Sequence, residues 1–271
     1  MAENEKNIAS EELPEEEAVK TAKPKTKSKS SSAAKKSVRR EFMCENLSFA
    51  AKEAYKRLRT NIRFSFADGE HSHAIGITSA QPSDGKSLTA LNFAYTLAEM
   101  NMKVLLIDAD MRKPTMHEKL DIDQAPGLSN LLVNVNNVGS LIHKYRSSTD
   151  STVFDVITSG DIPPNPAELL SSEKMKQLLA RLKEAYDYII IDLPPVGAVT
   201  DAQSVGRIID GMLVVIRENN SPRELVSDCV EQLKYANAKV LGFVVNGSTE
   251  GSKGYGYGKK YGYGYGYGYY K

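Results

Sequence analysis

The chain lacks the features that would assign it to several specialised classes of protein. It has no tryptophan and two cysteines in 271 residues, which excludes a disulfide framework and leaves no ligand spacing typical of zinc. Its 35 basic and 34 acidic side chains balance, so net charge gives no sign of a nucleic-acid partner. No apolar run approaches the roughly 20 residues of a membrane span, and the N-terminus has no signal-peptide pattern. We therefore expect a soluble, cytoplasmic protein.

Charge and composition divide the chain into three parts. Residues 1–40 hold 10 basic and 7 acidic side chains with almost no large apolar ones, which predicts disorder. This segment is either a solvated linker or a basic run drawn to anionic lipid. Residues 251–271 hold 8 glycines, 8 tyrosines and 4 lysines, and glycine at every second position disfavours a strand, so we expect a flexible tail. Residues 41–250 are then the folded domain.

Within 41–250, short runs rich in Val, Ile and Leu alternate with helical patterns. A first amphipathic helix is predicted from Ser48 to Phe64. Near-continuous apolar strands separated by helices indicate a mostly parallel sheet with helices on both faces, an α/β fold. Together with Gly85-Lys86-Ser87, a phosphate-loop sequence between the first strand and its helix, this predicts a fold of the P-loop NTPase type. The predicted strands are Ala74–Thr78, Val104–Ile107, Val153–Ile157, Tyr188–Ile191, Met212–Ile216 and Val240–Val245. The predicted helices between them lie near Ser87–Met100, Ser172–Ala185, Asp201–Ile208 and Pro222–Ala236.

A phosphate loop follows the first predicted strand. Glycine lets backbone N–H groups close around phosphate oxygens, and the N-terminus of the next helix attracts negative charge. Lys86 is suited to the β- and γ-phosphates of ATP, and the Ser87 hydroxyl to Mg²⁺. Ala80 stands where the common pattern has its first glycine. The predicted ATP-binding residues are Ala80, Gln81, Pro82, Ser83, Asp84, Gly85, Lys86, Ser87 and Leu88.

Carboxylates follow two further predicted strands. Asp108, Asp110 and Arg112 come after the second strand, and Asp192 comes after the fourth. The carboxyl ends of parallel strands face the ligand crevice of an open α/β sheet, so we expect these side chains beside the phosphate loop. Ser87, Asp110 and Asp192 are the predicted Mg²⁺ ligands.

These motifs together resemble the bacterial tyrosine kinase (BY-kinase) family, the cytoplasmic kinases of capsule and exopolysaccharide export systems. The matching features are the loop Ala80–Ser87, the segment from Asp108 to Arg112, the strand ending in Asp192 and the tyrosine-rich tail. Pro163–Leu170 matches a proline-rich stretch of these kinases. The resemblance spans about residues 45–271.

The resemblance implies transfer of the γ-phosphoryl group of ATP to tyrosines of a neighbouring copy's tail. The predicted acceptors are Tyr255, Tyr257, Tyr261, Tyr263, Tyr265, Tyr267, Tyr269 and Tyr270. A tyrosine with a pKa near 10 needs a base, for which we favour Asp108, with Asp110 or Asp192 as alternates. Arg112 either orients these carboxylates or contacts the phosphates.

The family also implies partners and a place in the cell. Its Glu-x-x-Arg-x-x-Arg oligomerisation motif is matched by Glu53, Lys56 and Arg59, with lysine at the first arginine position, which predicts a ring-shaped homo-oligomer or, alternatively, exposed charge pairs. A membrane-spanning regulator of polysaccharide chain length would activate the kinase at the inner face of the cell membrane. A cognate tyrosine phosphatase would reverse the reaction.

Two other functions fit parts of the sequence. A partitioning or division-site ATPase would share the fold, but such proteins carry a signature lysine at the position of Gln81. A non-catalytic ATP-binding adaptor would use the Gly-Tyr tail only to dock a partner.

Overall fold

The computed structural model describes residues 43–66, 72–133 and 138–247. The predicted segment 1–40 and the tail 251–271, with its eight candidate acceptor tyrosines, lie outside the described residues. Within the described part, no helix is both long and apolar enough to cross a membrane.

The predicted parallel sheet is confirmed, with seven strands in the spatial order β3-β4-β2-β5-β1-β6-β7. Within the described residues, six strands run parallel and the edge strand β3 runs antiparallel to its neighbour β4. The strands are β1 His73–Ser79, β2 Val104–Asp108, β3 His143–Arg146, β4 Val153–Ile157, β5 Tyr188–Asp192, β6 Gly211–Arg217 and β7 Val240–Asn246.

Helices cover both faces of the sheet. The long helices and the short helix that begins at Asp201 match the predicted ones to within one or two residues at each end, whereas three short helices were not predicted. The helices are α1 Phe49–Ser65, α2 Lys86–Ala98, α3 Met116–Leu120, α4 Leu128–Val133, α5 Pro166–Ser171, α6 Glu173–Lys183, α7 Asp201–Gly206 and α8 Arg223–Tyr235. Short 3₁₀ turns at Cys44–Asn46 and Val138–Leu141 complete the description.

Each face of the sheet has its own apolar core, because successive side chains of a strand point to opposite faces. Ile75, Leu106 and Ile190 pack on the face covered by α2. Leu105 and Ile189 pack on the opposite face, which α6, α7 and α8 cover. All five side chains are fully buried. This explains why the central strands read as continuous apolar runs.

Helix α2 occupies the centre of its face. Every residue from Thr89 to Ala98 is buried, so its far side must also be covered. Helix α1 supplies that cover through Ile62, with Tyr55 and Leu58 packed partly against the same core. Ser48 caps α1, since its hydroxyl accepts a hydrogen bond from the Ala51 N–H at 3.3 Å.

The edge strand β3 was missed by the sequence analysis. Its sequence, His-Lys-Tyr-Arg, alternates half-buried and exposed positions and has no Val, Ile or Leu. Tyr145 packs against Phe154 of β4 with ring centroids 4.7 Å apart. The strand therefore depends on its neighbour and carries little β-propensity of its own.

Candidate functional site

The candidate site lies where β1, β2 and β5 end. Strand register brings the two strand-terminal aspartates together, because Asp108 and Asp192 are paired Cα partners on adjacent parallel strands. β1 lies on the other side of β5 and leads directly into the phosphate loop. Three separate segments of the chain therefore converge at one edge of the sheet, as predicted.

The phosphate loop has the backbone geometry that its glycine suggests. Gly85 is the N-cap of α2, with φ of 94°, in the left-handed region that glycine adopts without strain. A β-carbon at this position would collide with the Asn246 side-chain nitrogen, so a larger residue would also have to displace that side chain. The N-terminus of the 13-residue helix α2 then presents its free N–H groups beside the loop.

Lys86 lies among carboxyl groups from the other two strands. Its Nζ is 2.8 Å from Asp110 Oδ2 and 3.3 Å from Asp192 Oδ1. Burial alone would lower the pKa of Lys86, but the charges of Asp192 and Asp110 outweigh it and raise the pKa. The ammonium group is therefore held charged at the start of α2, where a phosphate would bind.

Asp108 is fully buried and is held by backbone donors. Its Oδ2 accepts hydrogen bonds from the N–H groups of Met116 at 3.0 Å and Thr115 at 3.3 Å, and its Oδ1 accepts one from Asp110 N at 3.2 Å. Burial, with the nearby charge of Asp192, raises the pKa of Asp108 from 3.8 to about 7. A carboxyl group with this pKa changes charge near neutrality, which suits proton transfer.

Asp192 has a carboxylate oxygen that can still accept a hydrogen bond or bind a cation. It is fully buried, and its Oδ2 has no hydrogen-bond partner within the described residues. Burial raises its pKa, while Lys86 and the hydroxyl of Ser87 act in the opposite direction. A buried carboxylate oxygen without a partner, next to a serine hydroxyl, fits a bound divalent cation.

The donor set fits Mg²⁺ in particular. Residues 43–66, 72–133 and 138–247 contain no group of three or more His, Cys, Asp and Glu arranged to hold a metal ion by themselves. Mg²⁺ commonly takes one or two carboxylates together with substrate phosphates and water. Ser87, Asp192 and Asp110, which is 5% exposed, are the residues suited to hold it here.

Arg112 makes a contact that the sequence did not predict. Its guanidinium pairs with both carboxylate oxygens of Asp201, at 2.8 and 3.0 Å. Asp201 is fully buried at the start of α7. The pair ties the loop after β2, which carries Asp110, to the segment after β5. No short motif marks Asp201, because its role depends on a contact across 89 positions of sequence.

The three predicted oligomerisation residues lie on α1, away from this site. Glu53 and Lys56 form an ion pair of 2.9 Å, with side chains 41% and 44% exposed. Arg59 instead contacts α2, donating to the Thr96 carbonyl oxygen at 2.5 Å and lying 3.7 Å from Glu99. Two of the three residues are therefore open to a partner, and Arg59 mainly joins two helices of the same chain.

The fold and the site together define a phosphate-loop nucleotide-binding protein. Residues 72–238 match the family model described as an AAA domain. A more distant structure, the septum site-determining protein MinD from Pyrococcus horikoshii complexed with Mg-ADP, is 23% identical. It has a TM-score of 0.53 and covers 64% of this chain and 70% of that one, which shows a shared fold alone.

Closer relatives identify the family. The chain is 42% identical over 195 residues to the tyrosine-protein kinase YwqD of Bacillus subtilis (strain 168), an alignment covering 72% of this chain and 80% of YwqD. The kinase domain of the Escherichia coli tyrosine kinase ETK is 34% identical with a TM-score of 0.69, covering 81% of this chain and 80% of that one. The chain therefore belongs to the AAA-domain family and to the bacterial tyrosine-protein kinases. The resemblance inferred from the motifs is confirmed, and the division-site ATPase is disfavoured.

Proposed function

We propose that this protein is an ATP-dependent tyrosine kinase whose substrates include the tyrosines of its own C-terminal tail. The observation that carries the proposal is the position of Lys86, at the N-terminus of α2 and within 3.3 Å of carboxyl groups from two other segments. A cation, a helix N-terminus and strand-end carboxylates in one place are what positioning of a transferred phosphoryl group requires. The family relationship selects tyrosine as the acceptor.

The phosphate loop and Lys86 hold the nucleotide in this proposal. Backbone N–H groups of the loop residues other than Pro82 would surround the phosphates, and Lys86 would bind the β- and γ-phosphates in place of Asp110. Mg²⁺ bound by Ser87, Asp192 and Asp110 would neutralise charge on the phosphate oxygens. Arg112 orients the loop carrying Asp110 through its pair with Asp201.

Asp108 is the proposed base that accepts the tyrosine proton, with Asp110 and Asp192 as alternates. Its pKa of about 7 supports this role, since a base works best near the operating pH. Its Oδ1 accepts one backbone hydrogen bond and therefore keeps further acceptor capacity, whereas Oδ2 accepts two. These bonds also fix the direction in which the carboxyl group points.

The tail 251–271 is the proposed substrate, phosphorylated in trans. A 21-residue glycine-rich random coil would have a root-mean-square reach of roughly 25 Å, enough to enter a neighbouring copy's site. Each phosphate adds about −1.5 to −2 charge. Four modified tyrosines would turn a tail of about +4 into one of about −2 to −4. Residues 41–250 hold 27 acidic and 21 basic side chains, so this charge reversal would loosen a ring built from such domains.

We further propose the cellular setting that the family implies. A membrane protein that controls polysaccharide chain length would activate the kinase and recruit it to the inner face of the membrane. Glu53, Lys56 and Arg59 would contribute to the homo-oligomer, and a tyrosine phosphatase would reset the tail. The process served is synthesis and export of capsular or extracellular polysaccharide.

Intact-mass spectrometry tests the activity directly. The full chain is incubated with ATP and Mg²⁺, with and without the cytoplasmic segment of the membrane partner, beside the Lys86→Met variant. We expect successive additions of about 80 Da, one phosphoryl group each, that map to residues 255–270 and are absent from Lys86→Met. ATP hydrolysis without any addition would instead favour a switch ATPase, and neither reaction would favour an adaptor.

Light scattering tests the charge switch. Glutamate substitutions at the five tail positions Tyr261, Tyr263, Tyr265, Tyr267 and Tyr269 should lower the oligomer mass. Phenylalanine at the same positions, which removes the hydroxyl without adding charge, is the matched control. An unchanged mass in the glutamate variant would contradict the proposed switch.

A further inference from the structure

A fully buried carboxyl group lies inside the phosphate loop itself. Asp84, the residue before Gly85, is 0% exposed. Its Oδ1 accepts hydrogen bonds from Asn220 Nδ2 and from the Ser221 hydroxyl, both at 2.8 Å. Asn220 and Ser221 belong to the turn that joins β6 to α8, 136 and 137 positions further along the chain.

The same turn and the neighbouring strand end hold the loop at further points. Arg217 donates to the Ser83 carbonyl oxygen at 3.1 Å, and Asn246, the last residue of β7, donates to the Asp84 carbonyl oxygen at 3.1 Å. The Gln81 side-chain amide donates to the Asn220 carbonyl oxygen. The loop therefore both donates hydrogen bonds to the turn and accepts hydrogen bonds from it.

The loop needs such support because its backbone is unfavourable on its own. Ser83 has φ of 70° and Gly85 has φ of 94°, so two residues out of three lie in the left-handed region. For serine this conformation is costly, and it persists only where surrounding contacts impose it. The hydrogen bonds to Ser83 and Asp84 are contacts of that kind.

Asp84 is also chemically unexpected in a loop that receives phosphates. An acidic side chain repels a bound anion, so it must be held by donors of the protein itself. Donors from Asn220 and Ser221 hold the Asp84 carboxyl group against the β6–α8 turn. Its other oxygen, Oδ2, accepts a hydrogen bond from the Gln81 N–H at 3.4 Å, so the carboxyl group also joins two parts of the loop.

We propose that Asp84 is a positioning residue that clamps the phosphate loop to the turn at 218–221 and thereby sets the affinity for ATP. The inference rests on the proposed function, because it assigns a role within the same nucleotide site. Without the clamp, the loop relaxes and binding must restore its geometry, so affinity falls.

Calorimetric titration of the full chain with a non-hydrolysable ATP analogue and Mg²⁺ tests the clamp. Asp84→Ala should raise the Kd about tenfold, the usual loss when a hydrogen-bonded charged group is removed. Asp228→Ala removes an exposed carboxyl group from the adjacent helix α8 and is the matched control, which should keep the wild-type Kd.

An exchange of the two partners separates the clamp from a general effect on folding. Asn220→Asp places two carboxyl groups face to face and should weaken binding at least as much as Asp84→Ala. The same substitution combined with Asp84→Asn restores a carboxylate–amide pair, and the double variant should bind more tightly than Asn220→Asp alone. Because Asn220 is exposed, its variants should still fold. They can therefore test the clamp even if Asp84→Ala does not fold.

The outcomes distinguish this inference from the proposed function. Wild-type affinity in a folded Asp84→Ala variant, or equally weak binding by Asn220→Asp with and without Asp84→Asn, would overturn the clamp while leaving the kinase intact. Failure of the folded wild-type chain to bind the analogue would overturn the proposed function, and the clamp with it.

Discussion

Two of the contacts between lysine and carboxylate in this molecule have opposite consequences. At the sheet edge, Lys86 is 11% exposed and contacts Asp110 and the fully buried Asp192. On α1, Lys56 contacts Glu53 with both side chains more than 40% exposed. The distances are nearly the same, 2.8 and 2.9 Å. Only the surroundings differ.

The two ion pairs differ in function because they differ in burial. Around Lys86, loss of water raises the pKa of Asp108 and of Asp192, so small changes in the surroundings shift protons and charges. On the surface of α1, solvent screens the Glu53–Lys56 pair, and such pairs contribute little to stability. Exposure leaves that pair free to contact another molecule. The comparison therefore predicts chemistry at the first place and assembly at the second.

Removal of the buried cation should have the largest effect. We expect Lys86→Met to lower the rate of tyrosine phosphorylation at least about a hundredfold, the usual effect of losing a group that stabilises charge in the transition state. The measurement is phosphate incorporation at saturating ATP. Lys176→Met removes an exposed lysine of α6 that also pairs with a carboxylate, and is the control. Equal rates in the two variants would contradict the assignment of Lys86.

The pH dependence of stability should reveal the buried acid. Folding raises the pKa of Asp108 from 3.8 to about 7, so its stabilising contribution is complete below pH 3.8 and is lost as the pH rises to 7. The loss is at most about 4 kcal/mol. Urea unfolding between pH 4.5 and 8, without nucleotide or Mg²⁺, should show a shallower decline in Asp108→Asn. Parallel curves would show that Asp108 titrates normally.

The same group predicts the pH dependence of the rate. If Asp108 must be ionised to accept the tyrosine proton, the maximal rate should rise with pH and level off above about pH 7. The rate of the wild type is measured from pH 5.5 to 8.5. A profile without an inflection in this range would transfer the role of base to Asp110 or Asp192.

Loss of the Arg112–Asp201 pair should have an intermediate effect. Asp201→Ala removes both acceptors of the guanidinium and should lower the free energy of unfolding by about 1–2 kcal/mol, since the arginine is partly exposed to solvent. Arg112→Lys keeps the charge but loses the bidentate geometry of the guanidinium, so its free energy of unfolding should also be lower than that of the wild type. Chemical denaturation measures both. Full stability of Arg112→Lys would show that charge alone matters here.

Arg59 should behave as a structural residue of its own chain. Arg59→Ala breaks the contacts with Thr96 and Glu99 and should lower the Tm by about 2–4 °C. Arg57→Ala, which changes a neighbouring exposed arginine, should shift the Tm less. An unchanged Tm in Arg59→Ala would indicate that the contact between α1 and α2 does not depend on this side chain.

The exposed pair on α1 should have the smallest effect on stability. Glu53→Lys reverses one charge of a screened pair, so we expect no measurable change in Tm but a lower oligomer mass by light scattering. Lys56→Arg, which restores the arginine of the family motif, should not lower that mass. A reduced Tm with an unchanged mass would show that Glu53 acts within its own chain.

Local patterns predicted much of this protein. The phosphate-loop residues Gly85, Lys86 and Ser87 lie between an apolar strand and a helix. Two other apolar strands end in Asp108 and Asp192. Parallel pairing of the three strands is enough to place all these residues at one edge of the sheet. Strand β3 was missed because an edge strand with polar side chains has no distinctive pattern. Asp201 was missed as a partner because an aspartate at the start of a helix is ordinarily a capping residue.

The amino-acid sequence by itself determined the alternation of strands and helices, the phosphate loop and the family, because these depend on residues close together in the chain. Only the tertiary structure determined which polar and ionisable side chains lie close enough to change one another's charge or position. Burial of Asp108 beside Asp192, the clamp from Asn220 to Asp84 and the use of Arg59 within its own chain all join residues that are distant in sequence. Such contacts depend on how the elements pack, and the strength of each interaction depends on how much water that packing excludes.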